Sequence, residues 1–197
     1  MTPQTPSFRP AIQELSPRAG STLLAAIVLV AVALRVAGAW VLKHPLDSDP
    51  LAYFTMAQGL AERGELADMY GQKAFYSAGY PLLLAPFFKA LGSSVGAAIA
   101  VNLLLCAVSI WLIYGLTLAL SGNRGAGLIA AAVYALWFPG IWNATMLAKE
   151  NLSTPLLLGI ALCALPIANR AMPSRRGVER FSFASIVAFQ RPGNHKA

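Results

Sequence analysis

Apolar residues in this 197-residue chain come in long runs, not at the spacing of an amphipathic helix or a half-buried strand. The first run, STLLAAIVLVAVALRVAGAWVL at 21–42, can cross a hydrocarbon layer of about 30 Å at about 1.5 Å per residue. It is longer than the apolar segment of a cleaved signal peptide, follows a polar leader and lacks a small-residue cleavage site behind it. An uncleaved span is therefore predicted. Further spans are predicted over 95–119, 126–142 and 148–168. Pro155 and Pro166 interrupt the last, which membrane helices tolerate where neighbours satisfy the freed carbonyls. FSFASIVAF at 181–189 is too short to cross and is at most the start of a fifth span. The expected fold class is all-α: a multi-pass transmembrane helical bundle with four clear spans, a partial fifth and a long outward loop.

Composition agrees. The chain is 57% hydrophobic and 12% charged, with mean hydropathy +0.59, whereas soluble domains carry about 25% charged residues. The net charge of +7 comes without a stripe of interleaved basic and aromatic residues and without zinc-finger spacing, so nucleic acid is not an expected partner. The basic residues read instead as markers of the cytoplasmic side. Arg9 and Arg18 lie in the leader, Arg124 in the 120–125 turn, and Arg170, Arg175, Arg176 and Arg180 after the fourth span. With an even number of crossings between them, all three segments share one side. The expected organisation is a cytoplasmic leader (1–20), a transmembrane region (21–170) and a basic cytoplasmic segment with a short apolar tail (171–197). The loop of about 43–93, with four basic residues against five acidic ones, then faces the periplasm or exterior of a bacterial inner membrane. Cys106 and Cys163 both sit in apolar stretches and read as buried thiols.

A loop of this length needs structure or function of its own. LDSDPLAYFTMAQGLAERG at 46–64 predicts a helix starting at Pro50, capped by Ser48 or Asp49 and stopped by Gly64. Its apolar stripe, through Tyr53, Met56, Ala57 and Leu60, suits a helix lying along the membrane surface. YSAGYPLLLAPFFKALG at 76–92 predicts a second interface helix or a re-entrant element, with Lys89 near its end. Tyr70, Phe75, Tyr76 and Tyr80 suit the headgroup belt, and the lone His44 reads as an interface residue.

Asp47 and Asp49 fall at the mouth of the first span. As structural residues they are a solvated loop position and a helix cap. As chemical groups they can take a proton from an acceptor hydroxyl, or help hold a divalent ion with a phosphate. Lys149 and Glu150 stand at the outward end of the fourth span, where ionisable groups are either functional or snorkel to the surface. Being adjacent, they do not face each other along a helix. Arg35, past the middle of the first span, is expected to reach the outer headgroups or a carboxylate within the bundle.

Three stretches taken together resemble the GT-C membrane glycosyltransferases, the group that includes protein O-mannosyltransferases and the aminoarabinose transferase of lipid A. They are the Asp49–Tyr53–Ala57 series at spacings of four, GYPLLLAPFFKALG, and KENLSTPLLL. The resemblance covers roughly residues 20–170. It implies a sugar donor on a polyprenyl phosphate, transfer with inversion to an outward-facing lipid, glycan or protein, and a base or acceptor-orienting role for Asp49. Asp47, Tyr53, Tyr80, Lys149 and Glu150 become candidates for substrate binding, and Lys73, Lys89 and Lys149 for the phosphate. No cofactor is required, although a divalent metal would suit the departing phosphate. Membrane lipid is an implied partner. The YSAGYP stretch lacks the arginine and preceding prolines of the family pattern, so their role has no evident carrier here. Family members are much longer, so the chain is expected to be an N-terminal portion, a truncated product, or one part of an enzyme whose missing helices a second chain supplies. Two other readings stand beside this one. The first is a non-catalytic membrane component or remnant. The second is a small transporter or flippase subunit, against which count the scarcity of polar residues at mid-membrane and the lack of an internal repeat.

Overall fold

The computed structural model describes residues 16–171 apart from residue 74. The patch at 181–189, most of the leader and the basic segment beyond 171 lie outside the described residues. The described residues hold seven helices in order: α1 (Pro17–Val41), α2 (Ser48–Arg63), α3 (Gly79–Leu91), α4 (Val95–Ser121), α5 (Arg124–Leu136), α6 (Phe138–Ala144) and α7 (Glu150–Ala171). Among the described residues there is no strand. One compact unit ends at Leu162, and a second begins at Cys163, within α7.

Three helices, α1, α4 and α7, are long and apolar enough to cross a membrane. The chain is a multi-pass membrane protein. The expected third span is not one helix. It is α5 and α6, bent by 57° at their junction. Its cause is local: Trp137 has extended backbone (ψ 113°), and Pro139 then offers no N–H to Ala135 four residues back. Pro155, by contrast, is the sixth residue of α7, and the helix continues through it although Asn151 O loses its helical donor.

The spans pack through small residues, as membrane helices do when backbones must approach closely. Ala31 of α1 and Ala131 and Ala135 of α5 are buried in one cluster with Cys106 and Ile110 of α4. A Cβ at Gly127 of α5 would stand 2.9 Å from the Tyr114 ring and 3.1 Å from the Tyr114 carbonyl oxygen, so α4 and α5 touch there because residue 127 has no side chain. Cys106 is buried as expected, whereas Cys163 is exposed. An apolar neighbourhood in sequence does not imply a protein neighbour, since only 6% of the apolar window of α7 is buried.

The loop after α1 folds into α2 and α3, which lie against each other and against the end of α4 where the chain enters it. Tyr53 and Ala57 of α2, Tyr80, Leu84 and Phe88 of α3, and Ala98 and Val101 of α4 share one buried cluster. Leu147, from the turn between α6 and α7, completes it at 1% exposure. α2 begins two residues before the expected Pro50, and Asp47, not Ser48 or Asp49, occupies the N-cap without a side-chain cap bond. Ser48 carries a left-handed φ of 47°, a strained entry for a non-glycine residue. Gly64, at φ 73°, ends α2 as expected: its N–H bonds Leu60 O, and the Glu65 N–H reaches back to Gly59 O at 3.3 Å.

Candidate functional site at the mouth of the bundle

The ends of α1 and α5–α6 and the starts of α2, α4 and α7 meet on one side of the bundle. The junction is held by an amide. Asn102, two turns into α4, is 1% exposed. Its Oδ1 accepts from the Tyr80 hydroxyl at 2.6 Å, and its Nδ2 donates to the carbonyls of Met146 (2.9 Å) and Ala144 (3.2 Å). Asn151, at the start of α7, donates to Asn143 O (2.8 Å) and Met146 O (3.3 Å). The backbone that joins α6 to α7 is thus bonded by side chains from both neighbouring helices, as buried carbonyls outside regular structure require.

Upon this frame sits a cluster of aromatic and acidic groups. Tyr53 is buried, with its ring edge-on to Tyr80 (5.7 Å between centroids) and to Tyr76 (5.9 Å). Asp49 lies one turn before Tyr53 and is exposed, in the first turn of α2. Glu150 is exposed at the first position of α7. Burial holds the Tyr53 hydroxyl above its ordinary 10.0, and the negative charges of Asp49 and then Glu150 push it the same way. Two carboxylates separated by 101 positions in the chain therefore act on one hydroxyl. Tyr76 is also held up, by desolvation first and then by Asp49 and Asp68.

Glu150 also lines a cavity of about 130 Å³. Its walls are aromatic (Tyr134, Trp137), amide (Asn143, Asn151) and hydroxyl (Thr154), with Cys106 and the backbone of Gly140 completing it. Such a set offers ring faces for C–H surfaces and fixed donors and acceptors for hydroxyl groups, the lining expected of a pocket with a small polar occupant.

The candidates divide on geometry. Asp49, Tyr53 and Glu150 are brought together electrostatically. Asp47 is exposed at the N-cap. Lys149 is exposed, and its carbonyl accepts from Ser153 Oγ at 3.0 Å. Tyr80, expected in the headgroup belt, is instead 1% exposed with its hydroxyl on Asn102, because α3 packs down on α4. Tyr70 and Phe75 do stay exposed. His44 stacks edge-on against Trp142 at 4.4 Å. Among the described residues no group of three or more His, Cys, Asp or Glu is arranged to hold a metal ion.

Arg35 departs most from expectation. It reaches neither headgroups nor a carboxylate. At 1% exposure, its Nη1 donates to Ala31 O (3.1 Å) and Ala135 O (3.0 Å), and its Nη2 to Tyr134 O (3.4 Å). The Tyr134 ring lies 5.7 Å from the guanidinium carbon. Asn143 and Asn151 begin matches to the glycosylation-acceptor pattern, NAT at 143–145 and NLS at 151–153, which says nothing of this junction, and Asn102 matches no pattern. A polar residue inside an apolar run was the only signal of Asn102.

Comparison with known protein families, curated proteins and solved structures finds no match for the chain.

Proposed function

We propose that this membrane protein takes part in glycosyl transfer, from a sugar on a polyprenyl phosphate to an acceptor at the outward face. The observation that carries the reading is a cavity of mixed aromatic and amide lining with Glu150 in its wall, at the same mouth of the bundle where the charges of Asp49 and Glu150 both act on Tyr53. Transfer by displacement needs a base for the acceptor hydroxyl and a shaped pocket for the sugar. Asp49 suits the base. It is exposed, so an acceptor can approach from water, and it stands on a helix that buried aromatic packing holds still. Glu150, with one face on the cavity, suits the sugar hydroxyls. The motif resemblance, Asp49–Tyr53–Ala57 with GYPLLLAPFFKALG and KENLSTPLLL, supports the same assignment. It further suggests a bacterial inner membrane with the α2–α3 side outward. Membrane lipid, or further helices from a second chain, would cover the apolar sides of α7.

The test is transfer of label from a polyprenyl-phosphate sugar in membranes holding the full chain. Asp49→Asn should lower transfer by about 10²–10⁴-fold, the range for losing a positioned general base. Expression should not change and thermal stability should fall only slightly, since Asp49 is exposed and gives the first turn of α2 only its charge. Undiminished transfer in Asp49→Asn would remove the assignment.

A further inference from the structure

Arg35 is an intramembrane cation whose bonds all go to backbone. Its Nε is buried without a hydrogen-bond partner, and among the described residues no carboxylate lies within ion-pairing distance of it. A charge at this depth is costly to keep. Its targets explain why it is there.

Ala135 O is the carbonyl that a residue-139 N–H would take in a continuous helix, and residue 139 is proline. The next N–H along the chain, from Gly140, turns to Trp137 O (3.1 Å) and not to Leu136 O, while that of Ile141 makes the ordinary helical bond to Trp137 O (3.1 Å). The break thus frees Ala135 O inside the bundle, at the negative end of that helix, while Tyr134 O keeps a bond from the Trp137 N–H (3.3 Å). Arg35 Nη1 stands on Ala135 O where the missing N–H would be, and Nη2 adds a bond to Tyr134 O. The approach is close because two glycines permit it. A Cβ at Gly140 would lie 3.2 Å from Arg35 Nη2, and one at Gly38, a turn beyond Arg35 on α1, would lie 3.2 Å from Ile141 Cγ2 and 3.3 Å from Thr145 Cγ2.

Tyr134, Trp137 and Gly140, the residues around this joint, form one wall of the cavity beside Glu150. We infer that Arg35 is a positioning residue: it replaces the N–H absent at Pro139, fixes the bend between α5 and α6, and thereby sets the wall of the cavity. The inference rests on the proposed function only in treating that cavity as a ligand pocket.

The test reads the cavity without any ligand. In a Cys163→Ser background of the full chain, Cys106 is the remaining thiol and lines the cavity. Its alkylation by N-ethylmaleimide in detergent reports how tightly the wall closes. Arg35→Gln should speed alkylation roughly tenfold and lower thermal stability, as loss of a buried charged donor does. Arg35→Lys, which keeps a charged donor for Ala135 O, should restore both. Arg35→Gln with Pro139→Ala regains a backbone N–H, so stability should recover while the straightened helix leaves Cys106 fast. An unchanged alkylation rate in Arg35→Gln would overturn the inference. So would full recovery of the rate in the double variant, because satisfying the carbonyl would then suffice without a bend. If Arg35→Gln does not fold, the lysine variant and the double variant carry the same comparison. None of these readouts depends on sugar transfer, so the inference and the proposed function fail separately.

Discussion

The Tyr80 hydroxyl donates to Asn102 Oδ1 across 2.6 Å, and the same amide donates onward to the carbonyls of Ala144 and Met146. One buried side chain therefore ties α3 and α4 to the turn between α6 and α7. Tyr80→Phe leaves one amide oxygen unpaired and should cost about 1–3 kcal/mol. Asn102→Leu takes the acceptor from the hydroxyl and the side-chain donor from Ala144 O, leaves Met146 O to Asn151 alone, and should cost more. Thermal unfolding in detergent, followed by tryptophan fluorescence, orders the two variants. Equal stability of Asn102→Leu and the parent would mean that the junction is held by apolar packing alone.

Asp47 and Glu150 should separate in an activity assay. Asp47 makes no side-chain cap bond and Glu150 lines the cavity. Asp47→Asn should leave transfer near the parent level. Glu150→Gln should raise the donor KM more than it lowers kcat, because a pocket residue that holds the sugar contributes mainly to binding. Initial rates against donor concentration decide this.

The contact at Gly127 admits no side chain. Gly127→Val places atoms on the Tyr114 ring and carbonyl, and should destabilise the α4–α5 pair by about 1–3 kcal/mol through forced displacement. Pairing it with Tyr114→Ala, which removes the ring, should return part of the loss. A strictly additive double variant would show that the two positions do not meet.

Alkali should unfold the mouth of the bundle through its tyrosines. Burial holds the hydroxyls of both Tyr53 and Tyr80 above the ordinary 10.0. An unfolded chain ionises these groups first, so the folded state binds more protons above that pH. Their contribution is intact below pH 10.0 and is lost as pH climbs toward the folded values. Tyr53→Phe should move the alkaline unfolding midpoint upward, because phenylalanine has no proton to lose. The share of phenolate absorbance that Tyr53→Phe removes should rise together with unfolding and not before it.

Some of this was readable in the residues and some was not. Long apolar runs announced α1, α4 and α7, and Gly64 announced the end of α2, since each rests on composition or on one residue's backbone freedom. The break at Trp137 was hidden, because a proline within an apolar run is compatible with both a continuous and a broken span. Arg35 was visible as an anomaly but its partners were not. They are main-chain carbonyls about a hundred positions away, which no side-chain pattern encodes. The place of Asp49 beside Tyr53 follows from helical spacing. That of Glu150 beside the same hydroxyl depends on the whole bundle closing.

Leu147 shares its buried cluster with Tyr53 and Tyr80. This has a consequence for biogenesis. A nascent chain that has inserted α1 and α4 and folded α2 over α3 still lacks the residue that covers those two rings and the carbonyls that satisfy Asn102. Both arrive only when the stretch from Ala144 to Leu147 has been synthesised and carried across behind α5. The mouth of the bundle therefore cannot close before that stretch is in place.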